Sequence, residues 1–348
     1  VKNNISIAKS GFRKLIDAAA KKYRFFAPVE EDGNVLFRDV SEGGEITFDY
    51  LNTTTNPKDF FLPRFETLFR YNKDEIEPVL PDEKSFVVFG IRPCDVQGMT
   101  VLDKVFLDED YPDGYYRDRR EKATIVTLAC NRPDPTCFCG AVGGGPAMEE
   151  GSDVMAYDLG ERIIMKPVSR RGEDFIRAVS GSGKKATVAE MKEAEKKTAA
   201  AAEKMKTEID LPAVKKSLDS NFENEFWTEV HQKCVGCGIC TYLCPTCYCF
   251  DLTDESRGEK GKRLRSWDSC MFPLFTLHAS GHNPRPSGKE RLRQRIMHKF
   301  KYLPDNFQIT GCTGCGRCVR ECPVNLDIRE VLTSVAVIGS PSNNDGTL

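Results

Sequence analysis

Two stretches carry the chemistry most openly. CVGCGICTYLCP (234–245) and CTGCGRCVRECP (312–323) both have the form C-x2-C-x2-C-x3-C-P, the bacterial ferredoxin run for a 4Fe-4S cubane. Three thiolates on short spacers wrap three corners of a cube. The tight turns aim backbone N–H groups at the sulfurs and favour a negatively charged group. Gly238 and Gly316 relieve crowding where the chain passes close to the cubane. The fourth cysteine points toward the other cluster, as in two-cluster ferredoxins. The expected sets are therefore Cys234, Cys237, Cys240 and Cys322 for one cluster, and Cys312, Cys315, Cys318 and Cys244 for the other. A pair of zinc sites is the bland alternative. Zinc ribbons use paired C-x-x-C knuckles rather than two runs of four ending in proline.

Seven of the fifteen cysteines lie outside these runs. SFVVFGI (85–91) and TIVTLAC (124–130) are short apolar runs rich in β-branched residues, expected as buried parallel strands. Cys94 and Cys130 end these runs, and Cys137 and Cys139 follow on the next loop. Ligand sites in open α/β sheets lie beyond the carboxyl ends of strands, so the four thiols are candidates for a third cluster. Ordinary packing of buried thiols and a redox disulfide compete with that reading. Cys247, Cys249 and Cys270 supply only three thiolates. They would pack around a cluster or need a fourth ligand.

Other signals are weaker. Residues 257–301 hold twelve Lys and Arg against three Asp and Glu. A docking face for an acidic partner, compensation for anionic clusters and a solvated helix face are all open readings. His231, His278, His282 and His298 are scattered and read as structural. VGGGPAM (142–148) lacks the Lys and Ser/Thr of a P-loop and reads as turns. No Ser-His-Asp elbow or HExxH stands out, so no catalytic residue is assigned.

The elements that must position these residues divide the 348-residue chain. Residues 1–180 read as an α/β domain with cysteine-bearing loops. It is expected to contain a helix over 7–23 capped by Ser10, a hairpin of 34–40 with 45–50, and a strand over 161–168. Residues 181–215 are rich in Lys, Glu and Ala and read as a helical linker. Residues 216–335 read as a mostly α-helical, two-cluster ferredoxin-like domain, and 336–348 as a polar tail. The fold class expected is thus α/β or α+β, then a helical dicluster domain. A net charge of −2 gives no reason to expect nucleic acid. The longest apolar stretches fall far short of the roughly 20 residues of a membrane span. VKNNISIAKS lacks the apolar region of a secretory signal, so the expected location is cytoplasmic.

Taken in order, IRPCD (91–95), LDKVF (102–106), YYRDRR (115–120), ACNRPDPTCFC (129–139), CVGCGICTYLCPTCYCFD (234–251), RSWDSCMF (265–272), RQRIMHKFKY (293–302) and CTGCGRCVRECPV (312–324) resemble one family. Its members are the iron–sulfur subunit of anaerobic sulfite reductase and the β subunit of cytoplasmic sulfhydrogenases. The resemblance implies an electron relay within a larger complex. One partner would be a flavin/NAD(P)-binding reductase subunit. The other would be of hydrogenase, sulfite-reductase or heterodisulfide-reductase type. The rival is a flavin- or substrate-binding oxidoreductase in its own right. A regulatory iron–sulfur sensor is a third reading, for which no helix-turn-helix is legible.

Overall fold

The computed structural model describes residues 4–81 and 84–338. Most of the polar tail expected at 336–348 therefore lies outside the described residues. The chain forms two compact units. The first comprises Val1–Lys206, Pro245–Trp267 and Thr313–Cys315; the second comprises Thr207–Cys244, Asp268–Cys312 and Gly316–Leu348.

The first unit holds every described strand: β1 (Ile5–Ala8), β2 (Arg24–Glu31), β3 (Asn34–Asp39), β4 (Phe65–Asn72), β5 (Glu75–Pro78), β6 (Phe86–Ile91), β7 (Ala123–Leu128), β8 (Val154–Asp158), β9 (Arg162–Pro167), β10 (Lys184–Lys185), β11 (Phe250–Arg257) and β12 (Lys260–Trp267). Its helices are α1 (Phe12–Ala20), α2 (Pro93–Phe106), α3 (Gly114–Lys122), α4 (Arg170–Ala178) and α5 (Val188–Ala202). Eight strands make one sheet in the order β10-β1-β9-β8-β7-β6-β2-β3. Its centre is parallel, from β2 through β6 and β7 to β8.

The central strands are apolar because both faces are covered. Val87 and Phe89 join one core with Phe12, Leu15 and Phe175 of α1 and α4. Val88 joins the opposite core with Val96, Met99 and Leu102 of α2. Each fully buried side chain of this size is worth about 1.5–3 kcal/mol. At Gly90, φ is +89° and the β6–β7 register shifts. This glycine bulge turns Ile91 into the same core as Val88 and re-aims the chain toward α2.

A smaller antiparallel sheet runs β11-β12-β4-β5. It is fastened by a buried ion network. Arg265 on β12 donates to Glu66 on β4 at 2.6 and 2.8 Å, and to Asp113. Arg119 on α3 donates to the other Glu66 oxygen at 2.6 Å.

Several expectations change. Residues 34–39 pair with 24–31 rather than with 45–50, which form no strand. Asp32 and Gly33 supply the turn, both at positive φ, the backbone a two-residue hairpin demands. Ser10 caps nothing, since Ile5–Ala8 is a strand between β9 and β10 and α1 starts at Phe12 without a side-chain cap. Within the stretch read as linker, α5 buries Ala194, Thr198 and Ala201. Ala194 packs with Met155 and Ile164 of the sheet, and Thr187 and Glu190 close a capping box.

The second unit is built from α6 (Leu211–Ser220), α7 (Phe226–Val230), α8 (Ile239–Tyr242), α9 (Gly288–Met297), α10 (Leu303–Phe307), α11 (Arg317–Arg320) and α12 (Ile328–Val337). Val214 and Leu218 share one face of α6 at i, i+4 spacing, and Ile328, Val331, Leu332 and Val335 are buried on α12. The helical character expected of 216–335 holds for this unit. The β11–β12 hairpin, from the same stretch of sequence, belongs to the first.

Candidate metal centres

In the second unit, the first cysteine run leaves a short helical turn at His231–Lys233, passes Gly236 at φ +69° and Gly238 at φ +76°, and enters α8. A Cβ on Gly238 would lie 2.7 Å from the Phe272 ring, so both space and backbone require glycine there. The second run repeats this shape, with Gly314 at φ +61°, Gly316 at +77°, and α11 beginning after it. Gly236 and Gly314, each before the second cysteine, are a further match between the runs. Sequence reasoning passed over them, although the repeated C-x-G-C-G spelling displays them.

Cys234, Cys237 and Cys240 line a small cavity together with Cys322 of the other run. Cys318 also reaches its wall. The rest is largely apolar, including Met271, Leu292, Ile296 and Ile328, with one guanidinium, that of Arg295. Gly236 N–H donates to Cys234 Sγ at 3.4 Å, and Leu326 N–H to Cys322 Sγ at 3.3 Å. Burial pushes the Cys240 thiol up, while Arg295 pulls the other way. Elsewhere in the unit, Lys299 is 3% exposed; its Nζ donates to Cys244 Sγ at 3.2 Å and to the Gly311 carbonyl at 2.7 Å. Two cations of the basic stretch 257–301 are therefore interior and directed at thiols.

This donor set fits an iron–sulfur cluster. Its sulfurs surround a volume, receive backbone N–H groups and have buried positive charge beside them, which an anionic all-thiolate cubane requires. Among the described residues, no three His, Cys, Asp or Glu side chains converge as a single metal ion would need. Of the second expected set, Cys244, Cys312 and Cys318 belong to this unit, and Cys315 to the first.

In the first unit, β6 and β7 are parallel neighbours. Cys94 stands in the first turn of α2 just beyond β6, and Cys130 just beyond β7. Cys94, Cys130, Cys137, Cys139 and Cys315 all line one small cavity. Burial pushes the Cys137 thiol to about 11 and the Cys139 thiol to about 12. Cys247 is buried, and its carbonyl accepts from the interior Lys58 Nζ at 2.8 Å. Cys249 is half-buried beside β11, and Cys270 falls in the other unit. All fifteen cysteines are free of disulfides.

The histidines keep structural surroundings. The His231 ring nitrogen bonds the Trp227 carbonyl at 3.0 Å, and the His278 and His282 rings meet at 5.3 Å. No described helix is long and apolar enough to cross a membrane.

Residues 233–326 match the family described as the 4Fe-4S dicluster domain. The helical cysteine unit is thus that of an iron–sulfur electron-transfer protein. Over 317 residues the chain is 35% identical to the sulfhydrogenase 2 subunit beta of Pyrococcus furiosus, covering 90% of this chain and 92% of that protein. The chain belongs to this family of iron–sulfur β subunits.

Proposed function

We propose that the chain is a cytoplasmic electron relay between a flavin/NAD(P)-binding reductase subunit and a hydrogenase-type catalytic subunit. Cys234, Cys237, Cys240 and Cys322 hold one cubane, and Cys312, Cys315, Cys318 and Cys244 hold the second. The clusters supply one-electron chemistry when bound. The protein's own part is to exclude water with apolar walls, to offer N–H groups to the sulfurs, and to place Arg295 and Lys299 where they offset thiolate charge. The observation that best supports this reading is Cys322 in the wall formed by the first run. Three thiols of one run meeting the fourth of the other is the ligand exchange of a two-cluster ferredoxin.

Two measurements test it. Anaerobic protein should be bleached by dithionite but not by NADH, because in this reading the flavin that splits a hydride into single electrons belongs to the partner subunit. Rapid NADH oxidation by the isolated chain would favour an oxidoreductase in its own right. Cys322→Ser should alter the spectrum of the cluster that Cys237→Ser also alters. If Cys322→Ser instead changes only the cluster sensitive to Cys312→Ser, each run closes on itself.

A further inference from the structure

The dicluster match leaves the cavity in the α/β unit without an assignment. We propose that Cys94, Cys130, Cys137 and Cys139 hold a further iron–sulfur cluster there, beside Cys315. This site does not depend on the dicluster reading, since its residues fall outside both runs.

Four observations carry it. First, the thiols come from three separate places in the chain and meet only because β6 and β7 are adjacent and parallel. Single buried cysteines usually pack as small hydrophobes in close-packed interiors. Here several thiols share the wall of one cavity instead, an arrangement suited to iron rather than to packing.

Second, a buried cation stands beside the cavity. Arg92 is buried, and its guanidinium lies beside the cavity. It donates to the carbonyls of Leu51 at 2.8 Å and Ala129 at 2.9 Å, and to that of Tyr50. It also lies 4.2 Å from the centre of the Tyr50 ring. Arg92 thereby ties the loop after β7 to the 50–52 loop and leaves a fixed cation next to the sulfurs. Cys94 occupies the positive end of the α2 dipole. An anionic cluster is favoured by both.

Third, the ligand loop is held by backbone. Cys130 N–H donates to the Pro146 carbonyl at 2.8 Å, and Cys137 N–H to the Asp134 carbonyl at 2.9 Å. Gly145 and Pro146 complete the wall.

Fourth, the loop touches the second run. Phe138 N–H, between the two cysteines of C-F-C, donates to the Gly314 carbonyl at 2.9 Å. A Cβ on Gly314 would strike the Phe138–Cys139 backbone. Asn52 Nδ2 donates to the Cys315 carbonyl at 3.0 Å. Cys315 therefore sits in the wall of this site while its spacing assigns it to the second cubane.

The test uses the full chain, reconstituted anaerobically and assayed for iron, acid-labile sulfide and spin count after dithionite. Three cubanes give about twelve iron per chain, and two cubanes plus a two-iron cluster about ten; either supports the site. Cys137→Ser/Cys139→Ser should fall to about eight iron and lose one spectral component. Cys237→Ser should retain that component while losing a different one. Wild-type protein holding about eight iron, unchanged in the double variant, overturns the proposal. If the double variant does not fold, the wild-type count and Cys94→Ser, altered only at the start of α2, decide instead. Wild type with about four iron, all lost from the double variant, would retain this site and refute the dicluster reading.

Discussion

The two cysteine-lined cavities are built by opposite strategies. In the second unit, three of the four expected ligands come from seven consecutive residues, 234–240, shaped by two left-handed glycines and one short helix. In the first unit, Cys94, Cys130 and the 137–139 loop converge only after a mixed eight-stranded sheet has formed. A local site is specified by spacing. A distributed one inherits its geometry from tertiary structure, so it should be the more sensitive to damage in the surrounding fold.

The strongest way to break that contrast acts through the ion network of the smaller sheet. Glu66 is buried and accepts from both Arg265 and Arg119. Glu66→Ala leaves the buried Arg265 with Asp113 as its carboxylate partner and the half-buried Arg119 with backbone carbonyls, a loss of about 3–5 kcal/mol. The urea midpoint of the chain should fall sharply. Spectral components sensitive to Cys137 should bleach at lower urea than those sensitive to Cys237. Equal loss of both would remove the distinction between a local and a distributed site.

The same contrast explains what the sequence disclosed. The runs at 234–245 and 312–323 were legible because their chemistry is written in adjacent residues. The parallel strands ending near Cys94 and Cys130 were legible as apolar, β-branched runs buried on both faces. The β11–β12 hairpin was not. Almost all of β11 faces solvent, so DLTDESRG offers no alternation to read. The Asp32-Gly33 turn is legible in the sequence, since D-G is a stronger hairpin signal than the residues between 34–40 and 45–50. The short strand at Ile5–Ala8 was masked by helical periodicity over 7–23; pairing to β9 outweighs it. Cys315 in the wall of the α/β site lies beyond any sequence reading, because the packing of Gly314 on Phe138 joins segments far apart in the chain.

A more selective change sharpens the comparison by charge. Lys299 and Arg92 are both interior cations near thiols, one in each unit. Lys299→Met keeps the bulk of the side chain and removes the charge 3.2 Å from Cys244 Sγ. A reduced cluster carries one more negative charge than an oxidised one, so loss of a nearby cation favours the oxidised form. The midpoint potential of one dicluster centre should drop on the order of 100 mV, from one charge within several ångström at an effective dielectric of about 20. Redox titration followed by EPR measures it. The component sensitive to Cys137→Ser/Cys139→Ser should keep its potential. A shift in that component with none in the others would assign the lysine to the wrong centre.

The smallest expected effect tests whether the distributed site responds to any loss of stability or only to losses that move its loops. Gly33 lies in the β2–β3 turn at φ +75°, with nothing within 4 Å of where a Cβ would be. Gly33→Ala therefore adds no clash, only the strain of an L side chain in the left-handed region, about 1 kcal/mol. β3 is the edge strand of the large sheet, paired to β2 alone. Strain in this turn should fray the hairpin locally and leave the carboxyl ends of β6 and β7 where they are. The urea midpoint should fall slightly, with iron content and both sets of spectral components unchanged. Loss of iron from Gly33→Ala would mean that the α/β site draws on the stability of the whole sheet, and that the position of its ligand loops is not what holds it.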